Sequence, residues 1–233
     1  MIPLKDTVAT RTFPFVTLGL VALNVAVFVH EASLGWQLDH AVRLWGLVPA
    51  RLVYWTDLGG APLDPFRFLP LFTSMFWHGS LLHLAGNLLF LWIFGDAVED
   101  RLGHSRYLLF YLLGGAAAGL TQVALMPEST LPTVGASGAI AAVLGAYLIS
   151  FPRARVVAFV PIFILPWIVE IPAVIYLVFW FLMQIVSGLS DTAGTGGVAW
   201  WAHVGGFLAG IVLVKLMAPV PQRRRRLVED WPS

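Results

Sequence analysis

Ser137 stands in the stretch Val134-Gly135-Ala136-Ser137-Gly138-Ala139-Ile140, at the mouth of an apolar run that continues to Ser150. A hydroxyl in such a run needs a hydrogen-bond partner or a chemical task. Serine becomes a useful nucleophile only when a base takes its proton. The chain has six histidines and no cysteine, so thiolate nucleophiles and cysteine metal sites are excluded and imidazole is the available base. His203 lies in Ala202-His203-x-x-Gly206-x-x-x-Gly210, where Gly206 and Gly210 have the spacing that lets two membrane helices approach closely. His83 and Asn87 are four residues apart and share one helix face. Attack by a serine on a carbonyl creates an oxyanion. The donors that could meet it are Asn87, His83 and the backbone N–H groups at the helix start around Ser137.

Each of these residues also has a plainer explanation. Ser137 could be a helix cap or a close-contact residue. His203 could simply fill a helix–helix contact, and His83 with Asn87 could be an interhelical hydrogen-bonded pair. Histidines also bind metals, but no H-E-x-x-H is present, and no metal or cofactor is expected. Gly95-Asp96 lacks a partner aspartate in another span, and a charge at a helix end explains it better. The serine is not in G-x-S-x-G, so no nucleophile elbow is indicated.

The elements that must position these groups follow from composition. The chain is 58% hydrophobic and 12% charged, about half the ~25% charge of a soluble domain. It reads as an all-α polytopic membrane protein of one domain. A net charge of +1 gives no reason to expect a nucleic-acid partner. Six spans are expected: 13–29, 81–98, 107–125, 137–151, 173–189 and 200–217. Residues 30–79 form a long connection rich in aromatics (Trp36, Trp45, Trp55, Trp77) and proline, expected to be partly helical and half-sunk at the membrane interface. The run 156–167 is bracketed by Pro161 and Pro166, and an amphipathic or re-entrant connection is expected there rather than a seventh span. This divides the chain into a cytoplasmic segment 1–12, a transmembrane domain 13–217 and a basic tail 218–233.

With six spans, eleven of the fourteen Lys and Arg residues fall on the side of the two termini. That bias places both termini in the cytoplasm, with Arg223–Arg226 as an anchor at the anionic leaflet. Ser137, His203, His83 and Asn87 then come to one depth near the outer face, from three different spans. No acidic residue of a span lies at that depth, so a Ser137–His203 dyad is the economical reading.

These residues resemble the rhomboid family of intramembrane serine proteases. The matching pieces are His78-x4-His83-x3-Asn87, Gly135-Ala136-Ser137-Gly138 and Ala202-His203-x-x-Gly206-x-x-x-Gly210, with Asn24 and Leu71-Phe72-Thr73-Ser74-Met75-Phe76 as further similarities. The resemblance runs over residues 14–217. It implies Ser137 as nucleophile, His203 as base, and an oxyanion hole from His83, Asn87 and the Ser137 N–H. It implies a structural His78 near the floor of the site, a membrane-embedded first loop and a water-filled cavity. A lateral gate at the fifth span and a cap over the site from residues 190–199 are implied too. The substrates would be transmembrane proteins cut near the outer face, in the plasma membrane of a bacterium.

The match has two departures. Where members often carry an aromatic residue stacking on the base, four positions after the serine, this chain has Ala141. Trp200 or Trp201 would then hold His203. The Trp-Arg pair that many members carry before the Leu-Thr segment has its nearest counterpart in Phe66-Arg67. The alternative function is a non-catalytic relative that binds transmembrane helices as a chaperone or adaptor. Such relatives usually lack the serine or the histidine. A small transporter would need paired broken helices in internal repeats, which the sequence lacks.

Overall fold

In the computed structural model the described residues are 1–54, 65–162, 165–191 and 197–218. Trp55, the Gly59-Gly60 pair, Pro62 and the Arg223–Arg226 run lie outside them, as do residues 192–196 of the expected cap.

Residues Ile2–Asp6 form a strand, β1. The first span, α1 (Phe15–Ser33), begins after Pro14 and has no cap of its own. The cap comes from a distant carboxylate: Glu99 accepts the Val16 and Thr17 N–H groups at 2.9 and 2.8 Å, satisfying donors that a helix start otherwise leaves open. The aromatic first loop is partly helical, as its composition suggests. It holds α2 (Leu38–Trp45), α3 (Pro49–Val53) and α4 (Pro70–Thr73). Its inner face buries Leu47, Leu52 and Leu71 against Val123, while Trp36 is 89% exposed. Arg67 of the Phe66-Arg67 pair donates to the Leu52 carbonyl at 2.8 Å and so ties two parts of this loop together.

Next come α5 (Leu81–Leu102) and α6 (His104–Leu125). Gly103 breaks the chain between them with φ 79°, a left-handed conformation that glycine adopts without steric penalty. Then follow α7 (Ser137–Ser150), α8 (Ala173–Ser190) and α9 (Trp200–Met217). Five helices, α1, α5, α6, α8 and α9, are long and apolar enough to cross a membrane. The sixth, α7, is apolar but has only 14 residues, ~21 Å at 1.5 Å per residue. Its residues Ala139–Tyr147 are all buried, so α7 is the axis around which α5, α6, α8 and α9 are gathered.

The run expected to be an amphipathic or re-entrant connection is a β-hairpin instead, β2 (Arg155–Ile162) and β3 (Leu165–Pro172). β1 pairs antiparallel with β2, Ile2 opposite Phe159, to complete a three-stranded sheet in the order β1-β2-β3. The physical reason lies in the residue types. Val156 and Ala158 are fully buried and Val157 less so, the two-residue alternation of a strand on a surface. β-branched residues favour that conformation. Tyr147 donates to the Asp6 carboxylate at 2.5 Å and fastens β1 beneath α7.

α7 and α9 meet backbone to backbone. A Cβ at Gly206 would stand 2.2 Å from the Gly138 carbonyl oxygen, one at Gly210 2.0 Å from that of Ala142, and one at Gly145 2.1 Å from that of Phe207. In lipid there is little hydrophobic drive for helices to associate, so this close approach of small residues is what holds the pair. It also fixes how far His203 on α9 lies from Ser137 on α7.

Candidate active site

Ser137 is the first residue of α7. Gly135, two residues earlier, has φ 125° and donates its N–H to the Ser74 carbonyl at 2.9 Å. A Cβ there would come 2.7 Å from His83 Cε1 and 3.5 Å from Asn87 Nδ2. Gly135 is therefore required twice, for its backbone angle and for the space that lets the His83 ring approach the backbone before Ser137.

His83 and Asn87 come from the first two turns of α5, whose start is capped by Ser80: the Ser80 hydroxyl accepts the His83 N–H at 3.1 Å. Asn87 is buried, and its Nδ2 has no acceptor among the described residues. A buried amide donor without a partner is uncommon and calls for a reason. His78 is also buried, packed edge-on to His83 with ring centres 5.1 Å apart. Its backbone N–H donates to both oxygens of the Glu31 carboxylate, at 3.0 and 3.2 Å. Burial first, and then the neighbouring His83, pulls the His78 imidazole down to about 4, so it is neutral at ordinary pH.

His203 is buried in the first turn of α9. That turn is held by Gln122 of α6, whose side-chain oxygen accepts the Ala202 N–H at 3.2 Å. His203 Nε2 lies 2.8 Å from Ser137 Oγ, and Nδ1 lies 2.8 Å from Gln184 Oε1 on α8. Gln184 donates its own Nε2 to the Trp180 carbonyl at 3.0 Å. These contacts have one consistent direction. The amide N–H goes to Trp180, the amide oxygen accepts from Nδ1–H, and Nε2 accepts from the serine hydroxyl. An imidazole in that tautomer can take the Ser137 proton.

Ser137, His203, Gln184, His83 and Asn87 border one cavity of about 690 Å³, lined also by Gly86, Phe90, Trp180 and Trp200. Gly197, Val198 and Ala199 of the expected 190–199 cap also line it. No group of three His, Asp or Glu side chains gathers as a metal-ligand set among the described residues.

The structure thus brings Ser137, His203, His83, Asn87 and Gly135 together, with His78 beside them. Gly138 and Gly206 stand behind, at the α7–α9 contact. Sequence reasoning missed what holds His203. Trp200 does touch the ring edge-on at 6.2 Å, and Trp180 lies over it at 5.9 Å and 36°. Trp201 instead packs at Gly188. Gln184 was legible in principle, because a polar residue in the middle of an apolar span asks for a partner. Its spacing of four from Trp180 puts both on one face.

Comparison with known proteins agrees with this architecture. The Rhomboid domain family matches residues 65–220. The chain is 26% identical over 225 residues to Rhomboid protein 1, mitochondrial, of Saccharomyces cerevisiae, covering 91% of this chain and 57% of that protein. It is 29% identical over 223 residues to the human presenilin-associated rhomboid-like protein, mitochondrial, covering 91% and 51%. It is 32% identical over 161 residues to Rhomboid-like protein 11, chloroplastic, of Arabidopsis thaliana, covering 64% and 52%. The chain spans about half the length of these relatives. With its apolar helices and a family match over well more than half its length, this multi-pass membrane protein belongs to the rhomboid family.

Proposed function

We propose that this chain is an intramembrane serine endopeptidase, with Ser137 as nucleophile and His203 as general base. The observation that carries the reading is the directed contact of 2.8 Å between His203 Nε2 and Ser137 Oγ, with Nδ1 occupied on its other side. His203 takes the hydroxyl proton as Oγ attacks the substrate carbonyl. The tetrahedral oxyanion is met by the Ser137 N–H at the start of α7, by His83 and by Asn87, whose Nδ2 is otherwise without an acceptor. His203 then passes the proton to the leaving amine, and water in the cavity hydrolyses the acyl-enzyme with the same base.

The substrates in this reading are transmembrane proteins, cut near the outer end of a helix. A carbonyl in a helix is already hydrogen-bonded, so glycine and other helix-weakening residues near the cut assist. The six-span topology has α7 as the short central span and both termini in the cytoplasm of a bacterial cell. The names of the relatives place them in mitochondria and chloroplasts. Reporter fusions after residues 130 and 218 test the orientation, which requires the first outside and the second inside.

The test of chemistry is a serine-reactive fluorophosphonate applied to purified protein in detergent, alongside cleavage of a transmembrane substrate. Labelling and cleavage by the parent, both abolished in Ser137→Ala, are expected. Equal labelling of the two forms would refute the assignment. A parent that binds transmembrane helices without cutting them would favour the chaperone or adaptor reading.

A further inference from the structure

Within that protease reading, on which it rests, we infer that Gln184 is a positioning residue that turns the dyad into an uncharged triad, Ser137–His203–Gln184. It acts by fixing which ring nitrogen of His203 carries the proton.

An imidazole can serve Ser137 only if Nε2 is the bare nitrogen, and that choice is set by what the other nitrogen contacts. Here Nδ1 faces the Gln184 side chain at 2.8 Å. The amide could in principle offer either its oxygen or its nitrogen. Its nitrogen is already committed, because Nε2 donates to the carbonyl of Trp180 one turn back in α8. Only the oxygen is left for His203, and an amide oxygen can only accept. Nδ1 must therefore hold the proton, and Nε2 is left to receive the one from Ser137. Gln184 borders the cavity but is only 7% exposed, so both of its hydrogen bonds are made largely out of solvent.

The same contact explains how the chain does without an aromatic residue at Ala141. Trp180 and Gln184 come from one face of α8 and hold His203 by its plane and by its Nδ1 edge. α8 packs chiefly on α9, so the orientation of the base depends on how α8 is seated. A glutamine also differs from the carboxylate of a serine-histidine-aspartate arrangement: it orients the ring without a charge that stabilises the imidazolium. A buried site in lipid thereby avoids an uncompensated anion.

The experiment compares parent, Gln184→Leu and Gln184→Glu, each purified in detergent. It measures kcat and KM on a transmembrane substrate, the fluorophosphonate labelling rate, thermal stability and the pH–rate profile. Gln184→Leu has the shape but not the acceptor. It is expected to lose on the order of 10²-fold in kcat, with the labelling rate falling alongside and KM changing less than about threefold. Gln184→Glu keeps the acceptor and adds charge. It is expected to retain activity well above that of Gln184→Leu, with the acid limb of its profile displaced to higher pH by about one unit or more. A kcat for Gln184→Leu within about threefold of the parent overturns the inference. So does a Gln184→Glu acid limb superimposed on that of the parent, and this measurement decides if Gln184→Leu does not fold. A parent that neither cleaves nor labels sinks the protease reading itself. A parent that does both, with indifferent Gln184 variants, sinks only the role of Gln184.

Discussion

The two ends of α5 carry buried polar groups that are treated in opposite ways. At the far end, Glu99 is fully buried and its oxygens contact four groups: Val16 N, Thr17 N, Thr17 Oγ1 and His104 Nδ1, at 2.6–2.9 Å. Its neighbour Asp100 accepts from Arg11 N, Thr12 N and Thr12 Oγ1. At the site end, Asn87 Nδ2 is a buried donor with no acceptor among the described residues. A saturated polar cluster holds a fold together, because leaving any member unpaired is costly. An unsaturated donor in a cavity is held ready for something that is not part of the protein. The difference separates the part of α5 that fixes α1 from the part that, in the proposed function, serves the reaction.

Four measurements break or sharpen this contrast. The largest effect belongs to Ser137→Ala, which should reduce cleavage on the order of 10⁶-fold while thermal unfolding in detergent is unchanged. A large stability loss there would mean that the site end is structural after all. Glu99→Ala should do the reverse. It leaves donors at the start of α1 without an acceptor and should lower stability by about 1–3 kcal/mol for each donor left buried, with kcat per folded molecule close to that of the parent. A selective loss of kcat in this variant would erase the distinction between the two ends.

Asn87→Ala sits between these. It should lower kcat by about 10²–10³-fold, read against KM, and should leave stability equal or slightly higher, since a buried unpartnered donor is removed. The smallest effect concerns His78. The unfolded imidazole titrates near 6.5, whereas the folded one is held down to about 4. Between those values the unfolded state binds the extra proton. The His78 contribution to stability should therefore fall as pH drops from about 6.5 to about 4, then level off. The difference in unfolding midpoint between the parent and His78→Leu should change across that range in that direction.

Much of the site was legible because its logic is local or periodic. His83 and Asn87 announce their shared face by a spacing of four, and Gly206-x-x-x-Gly210 announces a close contact. Charge asymmetry supplied the common depth. What could not be read depends on partners far apart in sequence. Gln184 meets His203 only once α8 and α9 are docked. The Glu99 clamp joins residues more than 80 apart. The hairpin was obscured because Pro161 and Pro166, opposite each other across β2 and β3, read more readily as helix breakers than as strand residues near a turn.

The sheet also imposes an order on the making of the molecule. β1 is synthesised well before its partner β2, which follows only after α1, α5, α6 and α7, with Ile2 destined for Phe159. At about 5–20 residues per second, β1 waits roughly ten seconds or more beside an incompletely inserted bundle. Its Pro3 and Lys5 suit that interval, because proline and lysine discourage a lone strand from pairing with the wrong edge. Closure of β1 onto β2 therefore records that every helix through α7 has been made, a late step that no local segment can complete early.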